Sequence, residues 1–441
     1  MTPDLPYPVI VVPGITGTLL RDDYPLPPEY VWNLVTTNFE RTVLHPDDLR
    51  YEASEPARII PAQILEVGYK ELIEELRFNL RKKSDEAAPV YPFSYDWRKP
   101  LAASEQQLAD FVEEVIDRTK LLRHYAKAGY AQEAKVNLVG HSLGGLVIAG
   151  YLERKGMAAP VHKVVTLATP YQGSFEAVLK MITGTAALGP AGPSSREREA
   201  ARLTPSLYHI LPSLANQLIL DPSFPPDLTL FDAAAWQPSI LASIAEFIRT
   251  HGLDEQPPDV CDQKALKLFE NLLALGAAYQ RRIDGFRLEQ AGLKPENWLV
   301  VAGAGVTTRV RLRIVKRSNG ATDFELRSED RADKWKDHDP ALRYLTGDGT
   351  VPLESAIPKF LGAENVVCVT PESYGYWELL DRTLTNVADF HATMPHLNML
   401  HRLIVRFFTD QPDYHQNTWG WRAPGVVNWQ PPLPLHEKTL V

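Results

Sequence analysis

Apolar positions along the chain recur in two rhythms that take turns. Pro8 to Val12 is an unbroken apolar run dominated by Val and Ile, as expected of a parallel strand covered on both faces. Tyr69 to Leu80 sets Leu72, Ile73, Leu76 and Leu80 at helical spacing, which predicts an amphipathic helix. Val90 to Tyr95 reads as a short strand. Ser104, with Gln107 three residues on, resembles a capping box, and from there Leu108, Phe111, Val112, Val115, Ile116 and Leu122 keep a 3.6-residue period. Lys135 to Val139 reads as a strand, Ser142 to Arg154 as a helix stopped by Gly156, and Val161 to Leu167 as the next strand. This alternation predicts an α/β fold with right-handed crossovers, in which a mostly parallel, doubly wound sheet carries helices on both faces.

The rhythm lapses between about Gly173 and Asn297, where a Gly/Ala/Pro/Ser-rich piece (Gly184 to Ser195), a charged piece (Arg196 to Arg202) and Pro-punctuated loops precede a helical stretch near Leu266 to Leu275. An insertion between sheet strands accounts for it. Strand character returns at Trp298 to Val301 and around Arg309 to Val315, Asn365 to Val369 reads as the last core strand, and a helix from His396 to Phe408 is expected to close the fold. The expected organisation is therefore a first core part over 1–173, a helical cap over 174–297, a second core part over 298–410 and a tail over 411–441. The tail run Trp419 to Pro434 has two readings, contact with a membrane interface, where Trp is favoured, or wrapping of the domain surface, and wrapping is the expectation.

Composition narrows the class. With 44% hydrophobic and 23% charged residues over 441 positions, a sizeable core is within reach. A net charge of -9 without a basic stripe speaks against nucleic acid as a partner. The two cysteines, Cys261 and Cys368, have no CxxC or CxxH company, so neither a disulfide framework nor a zinc site is expected. Met1 to Pro6 lacks a basic segment before its apolar run, and no stretch reaches the ~18 apolar residues of a membrane span. The expectation is a cytoplasmic protein, with export as an effector the alternative. No feature of the pattern specifies an oligomeric state.

Candidate chemistry centres on Gly140-His141-Ser142-Leu143-Gly144. A GxSxG pentapeptide alone carries little weight, but this one follows a predicted strand and opens a predicted helix, the setting a nucleophile elbow requires. The serine hydroxyl then stands at a helix N-terminus, where developing negative charge is favoured. A serine needs a base to take its proton and a carboxylate to fix that base, in the chain order Ser, Asp or Glu, His. Asp348, between two glycines in Thr346-Gly347-Asp348-Gly349-Thr350-Val351-Pro352, is the acid candidate, although an Asp-Gly pair also suits a plain turn. Three closely spaced histidines, His391, His396 and His401, follow the last strand. His396 is the expected base because it falls at a predicted helix start, where the dipole favours the neutral imidazole. His391, with Asp389 beside it, is the second candidate, while His401 and His141 are assigned to packing. Oxyanion donors are expected from the backbone N–H groups of Leu143 and, after the first strand, Ile15. Such chemistry needs neither metal nor cofactor.

Taken together, Pro8 to Gly14, Tyr95-Asp96-Trp97-Arg98, Gly140 to Gly145, Ala168-Thr169-Pro170-Tyr171-Gln172-Gly173-Ser174, Gly347 to Pro352 and His396-Leu397-Asn398-Met399 resemble the lecithin:cholesterol acyltransferase and lysosomal phospholipase A2 family of α/β-hydrolases. Pro205 to Ser213 resembles, more loosely, a cap segment of such enzymes. The resemblance implies an acyl-enzyme on Ser142, with Asp348 and His396 completing the triad, and a lipid-like ester, foremost a phospholipid, as substrate. Transient contact with a membrane surface would accompany such a substrate. Transfer of the acyl group to an alcohol or sterol is the alternative within catalysis, and a non-catalytic binding module on the same fold is the alternative outside it. The Asp96/Arg98 pair is expected to pin a loop beneath a packed Trp97 rather than to shape the active-site wall.

Overall fold

The computed structural model describes residues 5–33, 37–184, 195–253, 256–375, 378 and 389–439. Six strands, β1 (Val9–Val12), β2 (Val90–Pro92), β3 (Val136–His141), β4 (Val161–Leu167), β5 (Trp298–Gly303) and β6 (Val366–Val369), form one sheet in the order β6-β5-β4-β3-β1-β2, every neighbouring pair parallel. This is the expected α/β fold. Register places Val9 beside Asn137, Val12 beside Gly140, and Gly140 beside Thr166.

Alternate side chains of these strands serve two separate cores, as the two-residue period of a strand dictates. Ile10, Val12, Leu138, Val164, Val300 and Cys368 pack on one face with α2 (Leu101–Lys120) and α3 (Leu143–Lys155). Val9, Val11, Val139, Val165, Val301 and Val367 pack on the other with α1 (Glu66–Asn79) and α4 (Asn398–Thr409). On α1 the buried stripe is Tyr69, Leu72, Ile73 and Leu76, the 3.6-residue rhythm read from the sequence. Each such side chain contributes about 1.5–3 kcal/mol by leaving water.

Three boundaries differ from expectation. Helix α2 begins at Leu101, capped by Pro100 without a side-chain hydrogen bond, so Ser104 is a buried interior residue and not a cap. Proline costs no hydrogen bond at a helix start, which lets the helix open four residues early. The closing helix begins at Asn398, after a separate 3₁₀ turn over Met394–His396, so His396 does not stand at its N-terminus. Finally, Leu312–Lys316 joins a small sheet with Leu218–Leu220 and Thr322–Glu325 instead of the central one.

Between β4 and β5 the described chain is largely helical, including Phe175–Thr183, Pro238–His251 and the long Pro258–Gly285. Most of the Gly184 to Ser195 piece, and Met1 to Asp4, lie outside the described residues. The tail closes the sheet edge: Cys368 and Trp421 exchange backbone hydrogen bonds of 2.8 and 3.1 Å, and Trp429 Nε1 donates to the Val366 carbonyl at 2.8 Å. Covering β6 in this way leaves less of its backbone open to pairing with another chain.

Candidate active site

The strand order reverses direction between β1 and β3, because the chain runs outward from β1 to β2 and then returns to the far side of β1 to build β3, β4, β5 and β6. In open α/β sheets the crevice at the carboxyl ends of such strands is where ligands gather. The loop after β1 and the turn after β3 meet there.

Ser142 caps α3 with φ 52° and ψ -126°, a conformation of low population for an L-residue. The turn is feasible because a Cβ on Gly144 would lie 2.2 Å from the Val12 carbonyl oxygen, so only glycine lets α3 come this close to β1. Thr16 (φ 60°) and Asp389 (φ 56°) also take positive φ beside the same crevice. Strain of this kind concentrates where the surrounding structure over-determines the backbone.

Three buried side chains are joined here. Asp348 Oδ1 accepts from the backbone N–H of Thr350 at 3.0 Å and of Val351 at 2.7 Å, which fixes the carboxylate. Its Oδ2 lies 2.8 Å from His391 Nδ1, and His391 Nε2 lies 2.9 Å from Ser142 Oγ. Because an ionised carboxylate only accepts, Nδ1 carries the proton and Nε2 is left to accept from the serine hydroxyl. Burial works against the charged form of His391, but the charge and hydrogen bond of Asp348, together with the charge of Asp389, outweigh it and raise its pKa above 6.5. Asp389 is itself pushed up to about 6, by burial first and by Asp348 second, and accepts from Thr350 Oγ1 at 2.5 Å.

The structure thus brings Ser142 and Asp348 together but not His396. His396 Nδ1 lies 3.6 Å from Glu71 on α1, because the Met394–His396 turn aims it across to that helix. The position expected for His396 is held by His391, in the short helix Phe390–Thr393 just after Asp389. The neighbouring Asp389 was the one sequence signal favouring it. His401 packs inside α4 and its Nε2 donates to the Pro395 carbonyl at 2.7 Å.

Four aromatic side chains hold the loop after β1. Tyr95 Oη donates to the Pro13 carbonyl at 2.9 Å, Trp32 Nε1 to that of Thr16 at 3.2 Å, and Trp97 Nε1 to that of Thr18 at 3.1 Å, while Tyr69 Oη accepts from the Gly14 N–H at 2.8 Å. Gly14 therefore has its N–H engaged, whereas among the described residues Ile15 and Leu143 donate theirs to no backbone carbonyl. Behind this loop Arg98 pairs with Asp96 at 2.7 Å and Glu52 at 2.8 Å and donates to the Thr42 carbonyl at 3.0 Å, so the Asp96/Arg98 pair pins the segment beneath Trp97. Ser174 Oγ donates to the Thr350 carbonyl at 2.6 Å and thereby ties the segment after β4 to the loop carrying Asp348. Among the described residues no group of three or more His, Cys, Asp or Glu side chains is placed to hold a metal ion, and no helix is long and apolar enough to cross a membrane.

Comparison with known proteins agrees with this architecture. A chain in the crystal structure of the Tle4-Tli4 complex superposes with a TM-score of 0.55 at 16% identity, over 80% of this chain and 89% of that one, which shows a shared fold. Phospholipase PlaB from Legionella pneumophila overlaps 48% of this chain and 37% of its own at 12% identity, with a TM-score of 0.23 that is too low to bear on the fold. No curated protein matches the chain in sequence. The family model for lecithin:cholesterol acyltransferase matches residues 67–264, a span that holds Ser142 and Tyr69 but ends before Asp348 and His391. Over residues 67–264, less than half of its 441 positions, the chain is similar to the lecithin:cholesterol acyltransferase family, and its parallel-sheet α/β fold is shared with the chain of the Tle4-Tli4 complex.

Proposed function

We propose that this protein is a serine esterase that cleaves acyl esters of lipid-like substrates, phospholipids foremost, through an acyl-enzyme on Ser142. The observation that carries the reading is the buried hydrogen-bonded series Ser142, His391, Asp348 at the carboxyl ends of parallel strands. His391 Nε2 takes the Ser142 proton as Oγ attacks the ester carbonyl, forming the tetrahedral intermediate. The N–H groups of Leu143 and Ile15 stabilise its oxyanion. The protonated His391 then gives its proton to the departing alcohol, leaving the acyl group on Ser142, and water activated by the same imidazole releases the acid. Asp348 keeps the imidazole in the required tautomer and steadies its transient positive charge. The helical segment 174–297 acts as a cap over the crevice.

The family match favours a second reading of the deacylation step, in which an alcohol or sterol takes the acyl group in place of water. One experiment addresses both. Turnover of phospholipids and esters of graded acyl length is measured beside Ser142→Ala, with and without a long-chain alcohol, and the protein is treated with a fluorophosphonate probe. Hydrolysis and labelling that vanish in Ser142→Ala support the esterase, and acylated alcohol as main product supports the transferase. A wild-type protein that neither labels nor turns over any ester is a non-catalytic module and overturns the reading.

A further inference from the structure

A second buried hydrogen-bonded series runs behind the first, and the mechanism above leaves it unused. It begins at the Gly14 N–H, which donates to Tyr69 Oη at 2.8 Å. Tyr69 Oη lies 2.8 Å from His141 Nδ1, and His141 Nε2 lies 2.9 Å from the backbone carbonyl of His391. The direction of every proton follows from the ends. The carbonyl can only accept, so His141 Nε2 carries a proton; in the neutral ring Nδ1 then accepts from the Tyr69 hydroxyl, whose oxygen is free to accept from Gly14. Burial, and next the charge of His391, push the His141 pKa down to about 3, so the ring is neutral in ordinary buffers. Burial raises Tyr69, which keeps its proton.

The two ends of this series matter. Gly14 immediately precedes Ile15, and a Cβ on Gly14 would lie 2.9 Å from the Ser142 Cβ, so this loop packs directly on the nucleophile. The other end is the main chain of His391, whose own N–H also donates to the Asp348 carbonyl at 3.1 Å. His141 is the residue before Ser142 and sits against the His391 ring, the ring centroids 5.1 Å apart. One continuous set of bonds therefore spans the loop after β1, the nucleophile turn and the base.

We propose that Tyr69 and His141 are positioning residues that lock the loop carrying Ile15 and the backbone of His391 into one fixed relation around Ser142. This rests on the acyl-enzyme reading above. The pair touches no reacting atom. It acts by holding two catalytic parts in register, where a misplacement of about 1 Å can cost about a hundredfold in rate. Neutrality of His141 is part of the arrangement, since a charge there would oppose the imidazolium that forms on His391.

The test uses the full chain and a p-nitrophenyl acyl ester. Tyr69→Phe keeps the ring and removes the hydroxyl; kcat is expected to fall about tenfold or more with KM within about threefold. At position 141, Gln carries an amide nitrogen near the place of Nε2 and can still donate to the His391 carbonyl, whereas Asn is too short to reach it. His141→Gln is therefore expected to recover several-fold more kcat than His141→Asn, at comparable melting temperature. Should Tyr69→Phe fail to fold, the Gln and Asn comparison decides alone. A Tyr69→Phe kcat within twofold of wild type, or equal kcat for Gln and Asn at 141, overturns the positioning role while leaving the esterase intact. A wild type without esterase activity overturns both.

Discussion

His391 Nε2 faces Ser142 Oγ from 2.9 Å, while the neighbouring His396 faces Glu71 from 3.6 Å. The two histidines thus make a direct comparison. His391→Ala is expected to lower kcat/KM by about a thousandfold or more, the scale on which loss of a triad member is felt. His396→Ala should stay within about threefold, because it removes one partly exposed contact to α1. Steady-state kinetics on both variants checks this, and equal losses would remove His391 from the role of base.

Activity should depend on pH through His391. The imidazole must be neutral to accept the serine proton, and its pKa is raised by Asp348 and Asp389. The acid limb of kcat/KM is therefore expected above pH 6.5. Asp389→Asn removes one of the charges that raise it and should move the limb to lower pH. A limb that moves upward, or stays in place, would show that Asp389 does not act on the base.

Asp389 also has a signature in stability. Its pKa is raised from 3.8 to about 6, so between these values the folded chain holds a proton that the unfolded chain has released. Stability from this group accordingly falls as pH rises through that window and stays reduced above it. Asp389→Asn should gain on wild type in moving from pH 4 to pH 8, by up to about 3 kcal/mol. Denaturant melts at the two pH values measure the difference, and a gain at pH 4 that disappears at pH 8 would reverse the sign.

The buried Arg98 is expected to matter more for folding than for chemistry. Arg98→Met leaves Asp96 and Glu52 without their shared cation and frees the Thr42 carbonyl. A loss of about 3–5 kcal/mol is expected, read as a lower denaturant midpoint. Raising the pH should deepen the deficit as the buried Asp96, whose pKa Arg98 helps to hold down, ionises without that partner.

Much of this was legible in the chain. The Val/Ile runs that became β1, β3 and β4 were visible because strands buried on both faces need no polar alternation. The glycines around Ser142 and Asp348 marked the turns where those side chains meet. Which histidine faces Ser142 was not legible, because His391, His396 and His401 all follow the last strand and differ only in where the backbone turns them. That turn is set by Asp389 at positive φ and by the Met394–His396 turn, and neither leaves a periodic trace. Helical spacing marked neither Tyr69 as a hydroxyl donor nor Ser104 as a buried helix interior. Their neighbours on other elements decide what they do.

Gly14, Ser142, Asp348 and His391 come from the ends of different strands, so nearly the whole polypeptide must be in place before they meet. Contacts of such long range are slow to form. A half-folded chain, even with β1, β3 and the serine turn already assembled, holds an ordinary alcohol. On the proposed mechanism, that alcohol gains its base only once the segment carrying His391 has docked.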